Sequence, residues 1–161
     1  MRLIACLLFS LALISPLAFA QTAGAPIAPK DRAVDLSEAE LEDAAMQLSA
    51  QGILTKRMLE GGVFSVNVRH IEGSETALQH GRITEVWVVR EGSGLLATGG
   101  TLVDPEPGSA PGEFRGSSIT GGNERIVQAG DVVFIPPGVP HGMKETTSFT
   151  YLNIRFEARE D

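Results

Sequence analysis

Hydrophobic positions change their spacing twice along the chain. From Leu3 to Ile14 they form a nearly unbroken run, preceded by Met1 and Arg2 and followed by Ser15, Pro16 and the small-residue site Ala18-Phe19-Ala20. That order predicts a secretory signal peptide over residues 1–20. Residues 21–33, QTAGAPIAPKDRA, show no periodicity and read as a flexible tether. A helical spacing follows, with Leu41, Ala44, Ala45 and Leu48 on one face. Ser37 and Glu40 have the spacing of a capping box, Leu36 and Leu41 that of a hydrophobic staple, and Gly52 is a stop. Within residues 34–52 this predicts a helix from about Glu38 to Gln51, laid on the body by its apolar stripe.

Beyond Gly52 the period falls toward two. Phe64, Val66 and Val68 alternate with Ser65, Asn67 and Arg69, and the run Arg82 to Arg90 holds Val86, Trp87, Val88 and Val89. Val132 to Ile135 is continuously apolar and is expected to be a buried strand. In Phe149 to Phe156 aromatic, β-branched or leucine residues return at every other place. Glycines at 73, 81, 92, 94, 99, 100, 121, 122, 130 and 138 punctuate these runs. Such spacing predicts an all-β sandwich or barrel over residues 53–161. Asp104 to Gly116, DPEPGSAPGEFRG, is the least regular stretch and is expected to be a long loop. Internal repeats and βα alternation are absent from the sequence.

At 161 residues the chain has room for one domain. Removing residues 1–20 takes away one charge, Arg2, and moves the formal net charge from −7 to −8. An acidic chain of this kind carries no electrostatic footprint for nucleic acid. Its single cysteine, Cys6, lies in the segment to be removed, so the exported chain has no disulfide, thiolate ligand or cysteine nucleophile. Leu3-Ile4-Ala5-Cys6 has the form of a lipoprotein box, but Met1 and Arg2 alone precede it, leaving no apolar region to insert. No later run approaches the ~20 apolar residues of a membrane span. A periplasmic or secreted protein is expected, with no membrane or nucleic-acid partner. A serine-hydrolase elbow, a phosphate-cradling loop and zinc-finger spacings are also missing.

There are 3 histidines, at 70, 80 and 141, so imidazole chemistry can be enumerated. Glu85 interrupts an apolar strand face that Ile83, Trp87 and Val89 share by period two. A carboxylate there is costly unless a metal ion or a buried arginine pairs with it. On an unbroken strand His80 and Glu85 would face opposite sides, and Gly81 between them supplies a turn or bulge that lets them converge. His141 follows Pro136, Pro137, Gly138 and Pro140, residues that stiffen the backbone as a pre-organised ligand requires.

Gly130-x5-Pro136-x-Gly138-x2-His141 reproduces the second motif of the cupin superfamily, and His80-x4-Glu85-x6-Gly92 the later half of the first. Between roughly Gly73 and Glu145 the chain thus resembles small, single-domain, secreted type-2 cupins. The resemblance implies a double-stranded β-helix, a jelly-roll barrel with one N-terminal helix added here. It further implies a divalent transition metal, Fe, Mn, Ni or Zn, held by His80, Glu85 and His141. Leu78 stands where the first motif usually has another histidine, and Glu145 where the second often ends in asparagine. Two imidazoles and one carboxylate have the composition of a facial triad for non-haem iron(II).

The implied function is a metal-binding cupin acting on or binding a small organic molecule in the barrel and, if it is an enzyme, a metal-dependent, dioxygenase-like oxidoreductase. A non-catalytic binding protein for a sugar, organic acid or phenolic compound and a metal-dependent isomerase are the alternatives. A homodimer also follows from the resemblance. Three further residues are candidates for contacting a substrate. Trp87 either roofs the pocket or packs in the core. His70, in phase with Phe64, Val66 and Val68, either points inward to replace the imidazole missing at Leu78 or is an ordinary strand-end histidine. A hairpin at Gly73-Ser74 would pair it with Ala77 and turn it away from His80. Arg155 alternates in phase with Tyr151 and Asn153, and that set faces either solvent or the barrel, where Arg155 would bind a substrate carboxylate.

Overall fold

The computed structural model describes residues 24–157, so the signal peptide read in residues 1–20 and Cys6 lie outside the described residues. The elements in chain order are α1 (Glu38–Gln51), β1 (Thr55–Glu60), β2 (Phe64–Gly73), β3 (Ala77–His80), β4 (Ile83–Thr98), β5 (Thr101–Val103), β6 (Glu106–Pro107), β7 (Glu113–Gly116), β8 (Ser118–Thr120), β9 (Asn123–Gln128), β10 (Val132–Ile135) and β11 (His141–Glu157). No helix among the described residues is long and apolar enough to cross a membrane.

α1 begins as its sequence predicts. The Ser37 hydroxyl accepts from the Glu40 amide, and the Glu40 carboxylate accepts from the Ser37 amide at 2.8 Å. Gly52, at φ 64°, closes the helix. Pro26 to Ala28, within the stretch read as a tether, lie beside β1: the Ala28 amide donates to Glu60 O at 2.7 Å and the Glu60 amide to Pro26 O at 2.8 Å.

Two long strands organise the barrel. The first half of β4 lies between β10 and β11, and its second half between β9 and β11. β11 pairs with β2 through Phe149–Phe156 and with β3 at His141, and β3 continues the sheet to β7 and β6. β4 and β11 therefore run through both halves of a jelly roll and turn its corner together, where the register of β11 on β4 shifts near Thr146 to Ser148. Gly92 sits at that corner with φ 76°, and a Cβ there would lie 1.9 Å from Ser148 O. The core joins both halves: Trp87, Val89 and Leu96 of β4 pack with Ile135, Met143 and Phe149. Val132 and Phe134, expected to be buried, are each 65% exposed, because β10 turns only Val133 and Ile135 inward.

The polarity of β2 runs against the usual rule. Ser65, Asn67 and Arg69 are buried toward the barrel, while Phe64, Val66 and Val68 face outward. α1 explains the inversion: Ala44 and Leu48 cover Val68, with Leu41, Ala45, Met58 and Leu152 around them. The apolar face is thus buried from outside, and the interior is left polar near its mouth. β11 repeats the pattern, with Tyr151 and Asn153 buried. The segment Asp104 to Gly116 is also not wholly a loop, since β6 and β7 pair within it and β7 pairs with β3.

Candidate metal centre

β3 ends at His80, Gly81 and Arg82 turn the chain, and Glu85 enters the barrel from β4. The expected change of direction at Gly81 is therefore a break between two strands. The Pro-rich turn before β11 docks on the same place: the Gly138 amide donates to His80 O at 2.8 Å. His141 then starts β11 opposite Leu78, and the rings of His80 and His141 come within 5.4 Å.

The three side chains are 7%, 2% and 1% exposed for His80, Glu85 and His141. His80 Nε2 is 3.3 Å from Glu85 Oε1, and His141 Nε2 is 3.5 Å from Glu85 Oε2. One donor atom from each lies within 4.8 Å of the others, and this is the group of described residues able to hold a metal ion. His141 Nδ1 donates to Val139 O at 3.0 Å and His80 Nδ1 contacts Glu113 Oε2 at 2.5 Å. A carbonyl and a carboxylate only accept, so both Nδ1 atoms carry hydrogen and both Nε2 atoms turn toward Glu85. His141 Nε2 is buried without a hydrogen-bond partner. His80 and His141 each bring Nε2 to a different oxygen of Glu85 and all three residues offer a donor atom within 4.8 Å of the others, so the residues fit a divalent transition metal, which binds such donors at about 2.0–2.2 Å.

Burial opposes ionisation of Glu85, yet the facing imidazoles of His141 and His80 and the indole N–H of Trp87 outweigh it and hold the carboxyl well below the usual range. Trp87 Nε1 donates to Glu85 Oε2 at 2.8 Å and its ring meets His141 edge-on at 5.8 Å. Trp87 is thus both packed, being wholly buried, and bound to the site. Arg155 enters from β11: Nε lies 3.1 Å from Glu85 Oε1, and Nη2 lies 3.3 and 3.5 Å from the two ring nitrogens of His80. The polar set of β11 therefore faces the barrel, and the solvated-face alternative falls away. Of the two partners expected for a buried Glu85, a metal ion or a buried arginine, the described residues supply a part-buried arginine, Arg155.

His70 is elsewhere. It bonds Thr150 Oγ1 at 2.9 Å and Glu72 Oε1 at 3.1 Å on the outer face, beside a cavity of about 530 Å³ under α1. The hairpin expected at Gly73-Ser74 does not form, since β2 pairs with β1 and β11. His70 turns outward because it shares the face that α1 covers.

The cavity over His80 and Glu85 measures about 410 Å³. On its wall Arg69 donates to Tyr151 Oη at 3.0 Å and to Glu75 Oε2 at 2.8 Å. Burial pushes the Tyr151 hydroxyl well up despite the nearby guanidinium. Sequence reasoning missed Glu113, which lies in the stretch read as a loop and reaches His80 through the β3–β7 register. It also missed Arg69 and Glu75; the phase of Arg69 with Ser65 and Asn67 was the available signal.

No protein-family model and no curated protein sequence matches the chain. Solved structures do. The BH2720 protein of Bacillus halodurans aligns at 13% identity over 82% of this chain and 87% of its own, with a TM-score of 0.53, which shows a shared fold. A cupin-2 domain containing protein from Shewanella frigidimarina aligns at 20% identity over 62% and 76%, TM-score 0.42. A Klebsiella pneumoniae protein with a double-stranded β-helix domain aligns at 16% identity over 66% and 84%, TM-score 0.45.

Proposed function

We propose that this protein, whose fold is the double-stranded β-helix of the cupins, is an exported metal-dependent oxidoreductase acting on a small organic molecule in the barrel. One observation carries the reading: two imidazoles whose Nδ1 hydrogens are engaged converge through Nε2 on a buried carboxylate, and one of those Nε2 atoms has no partner. His80, Glu85 and His141 hold the ion, while Glu113, Val139 O and Trp87 fix their orientation. A bound Fe(II) or similar ion supplies Lewis-acid polarisation and a place to activate dioxygen beside the substrate. The chain excludes bulk water on the core side through Trp87 and Tyr151 and leaves access on the side of Arg155.

Arg155 favours a second reading. Its guanidinium already offsets the charge of Glu85, as a barrel that captures ligand without metal would need. Elemental analysis separates the two. Residues 21–161, exported and purified without chelator, should carry near-stoichiometric transition metal that His141→Ala loses. Trp87 is the single tryptophan, so its fluorescence should change on loading and revert on chelation. Retention of no metal after reconstitution with iron, manganese, nickel and zinc in turn would leave the binding protein as the better account. Oxygen uptake with catechol, enediol and thiol compounds then tests the chemistry, and a mature chain beginning at Gln21 tests export.

A further inference from the structure

Four arginines line the cavity over His80 and Glu85: Arg57, Arg69, Arg115 and Arg155, from β1, β2, β7 and β11. The wall also holds three carboxylates, Glu75, Glu85 and Glu113, so it is formally cationic in a chain of net charge −7. Such a reversal concentrates anions at the mouth.

The arginines are not equivalent. Arg69 is fully engaged with Thr55, Tyr151 and Glu75. Arg57 is tied to Asn67 and Glu60. Arg155 Nε lies 3.1 Å from Glu85 Oε1 without a hydrogen bond and Nη2 faces the His80 ring, which leaves Nη1 free to donate. Arg115 is exposed on β7, and its side chain has no ion pair or hydrogen bond among the described residues.

A separate observation comes from Asn153. It lies two residues before Arg155 on the inward face, is 2% exposed and lines the same cavity, yet its Oδ1 has no hydrogen-bond partner. A buried amide oxygen left unpaired is costly, and a donor on a ligand would satisfy it.

We infer that the cavity takes a small hydroxy acid, its carboxylate drawn in by Arg115 and held by Arg155, and its hydroxyl donating to Asn153 Oδ1. Arginine suits a carboxylate through paired N–H donors. The amide oxygen selects against ligands that offer acceptors alone, such as a simple carboxylate or a fully ionised phosphate. The inference rests on the proposed reading of this cavity as the substrate site, and names its substrate class.

The test titrates residues 21–161, metal-loaded and chelated, with lactate, malate, tartrate and gluconate. The same titration covers the neutral amides of these acids and the acids that lack the hydroxyl, propionate and succinate among them. At least one hydroxy acid should bind about tenfold more tightly than both its amide and its deoxy counterpart. Arg115→Gln should weaken the acid and leave the amide unchanged. Asn153→Ala should erase the preference over the deoxy acid, and if that variant does not fold, exposed Arg115 still carries the test. Binding of acids and amides within about threefold of each other, or saturation by none of them, overturns the inference. Preference for the acid in a protein that retains no metal would sustain it while sinking the metal centre, and metal retention without preference would do the reverse.

Discussion

His80 and His141 owe their orientation to different oxygens, and the difference can be tested one residue at a time. Val139 O holds His141 from the backbone two residues away, so no substitution removes that acceptor. Glu113 holds His80 from another strand and is only part-buried. Glu113→Ala should therefore lower metal affinity about 10–100-fold, the usual effect of losing a ligand's outer partner. A competition titration followed by Trp87 fluorescence reads it, and an unchanged affinity would show that His80 needs no such support. The cluster of His80, Glu85 and His141 was legible in the sequence because motif spacing places these residues without knowledge of the fold. Glu113 was not, because cross-strand register alone brings it to His80. Arg155 was legible only as a choice between two faces.

That choice belongs to the elements. Alternation along β2 and β11 reveals the period of a strand but not which set of side chains enters the barrel. α1 decides it, and its capping box and stripe were plain in the sequence, whereas its seat against Val68 and Leu152 was not. Because the helix buries the apolar face from outside, Arg69, Asn153 and Arg155 can face the cavity while Val68 and Leu152 stay packed. Leu48, 1% exposed and packed beside Val68, should cost about 2–5 kcal/mol when replaced by alanine. Its contacts lie across the sheet from the metal ligands, so Leu48→Ala should leave metal affinity unchanged. Denaturant melts and metal titrations on the same samples check both halves. A parallel fall in affinity would mean that α1 shapes the site through the sheet.

For the molecule as a whole, the question is what keeps a buried Glu85 tolerable when no ion is bound. The core of Trp87, Val89, Leu96, Ile135, Met143 and Phe149 joins both halves of the barrel without passing through the ligands, so chelation should not unfold the protein. It should lower the melting temperature by about 10 °C relative to a sample at a hundredfold excess of metal over its dissociation constant. In the metal-free state, Arg155 is the nearest positive charge to Glu85, at 3.1 Å, and is 27% exposed on its side chain. Removing it leaves a carboxylate 2% exposed with Trp87 and two imidazoles as its partners. Breaking one side of such a pair costs about 3–5 kcal/mol when fully buried, and about 1–3 kcal/mol is expected here because water reaches the guanidinium. A bound ion supplies the missing charge, so Arg155→Ala should destabilise the metal-free protein more than the loaded one. Melts of wild type and variant, each with and without chelator, close a thermodynamic cycle whose coupling measures that shared role. Equal losses in both forms would show that the arginine and the ion act on Glu85 independently. A larger loss in the metal-free form would identify Arg155 as the internal cation that offsets Glu85 until metal arrives.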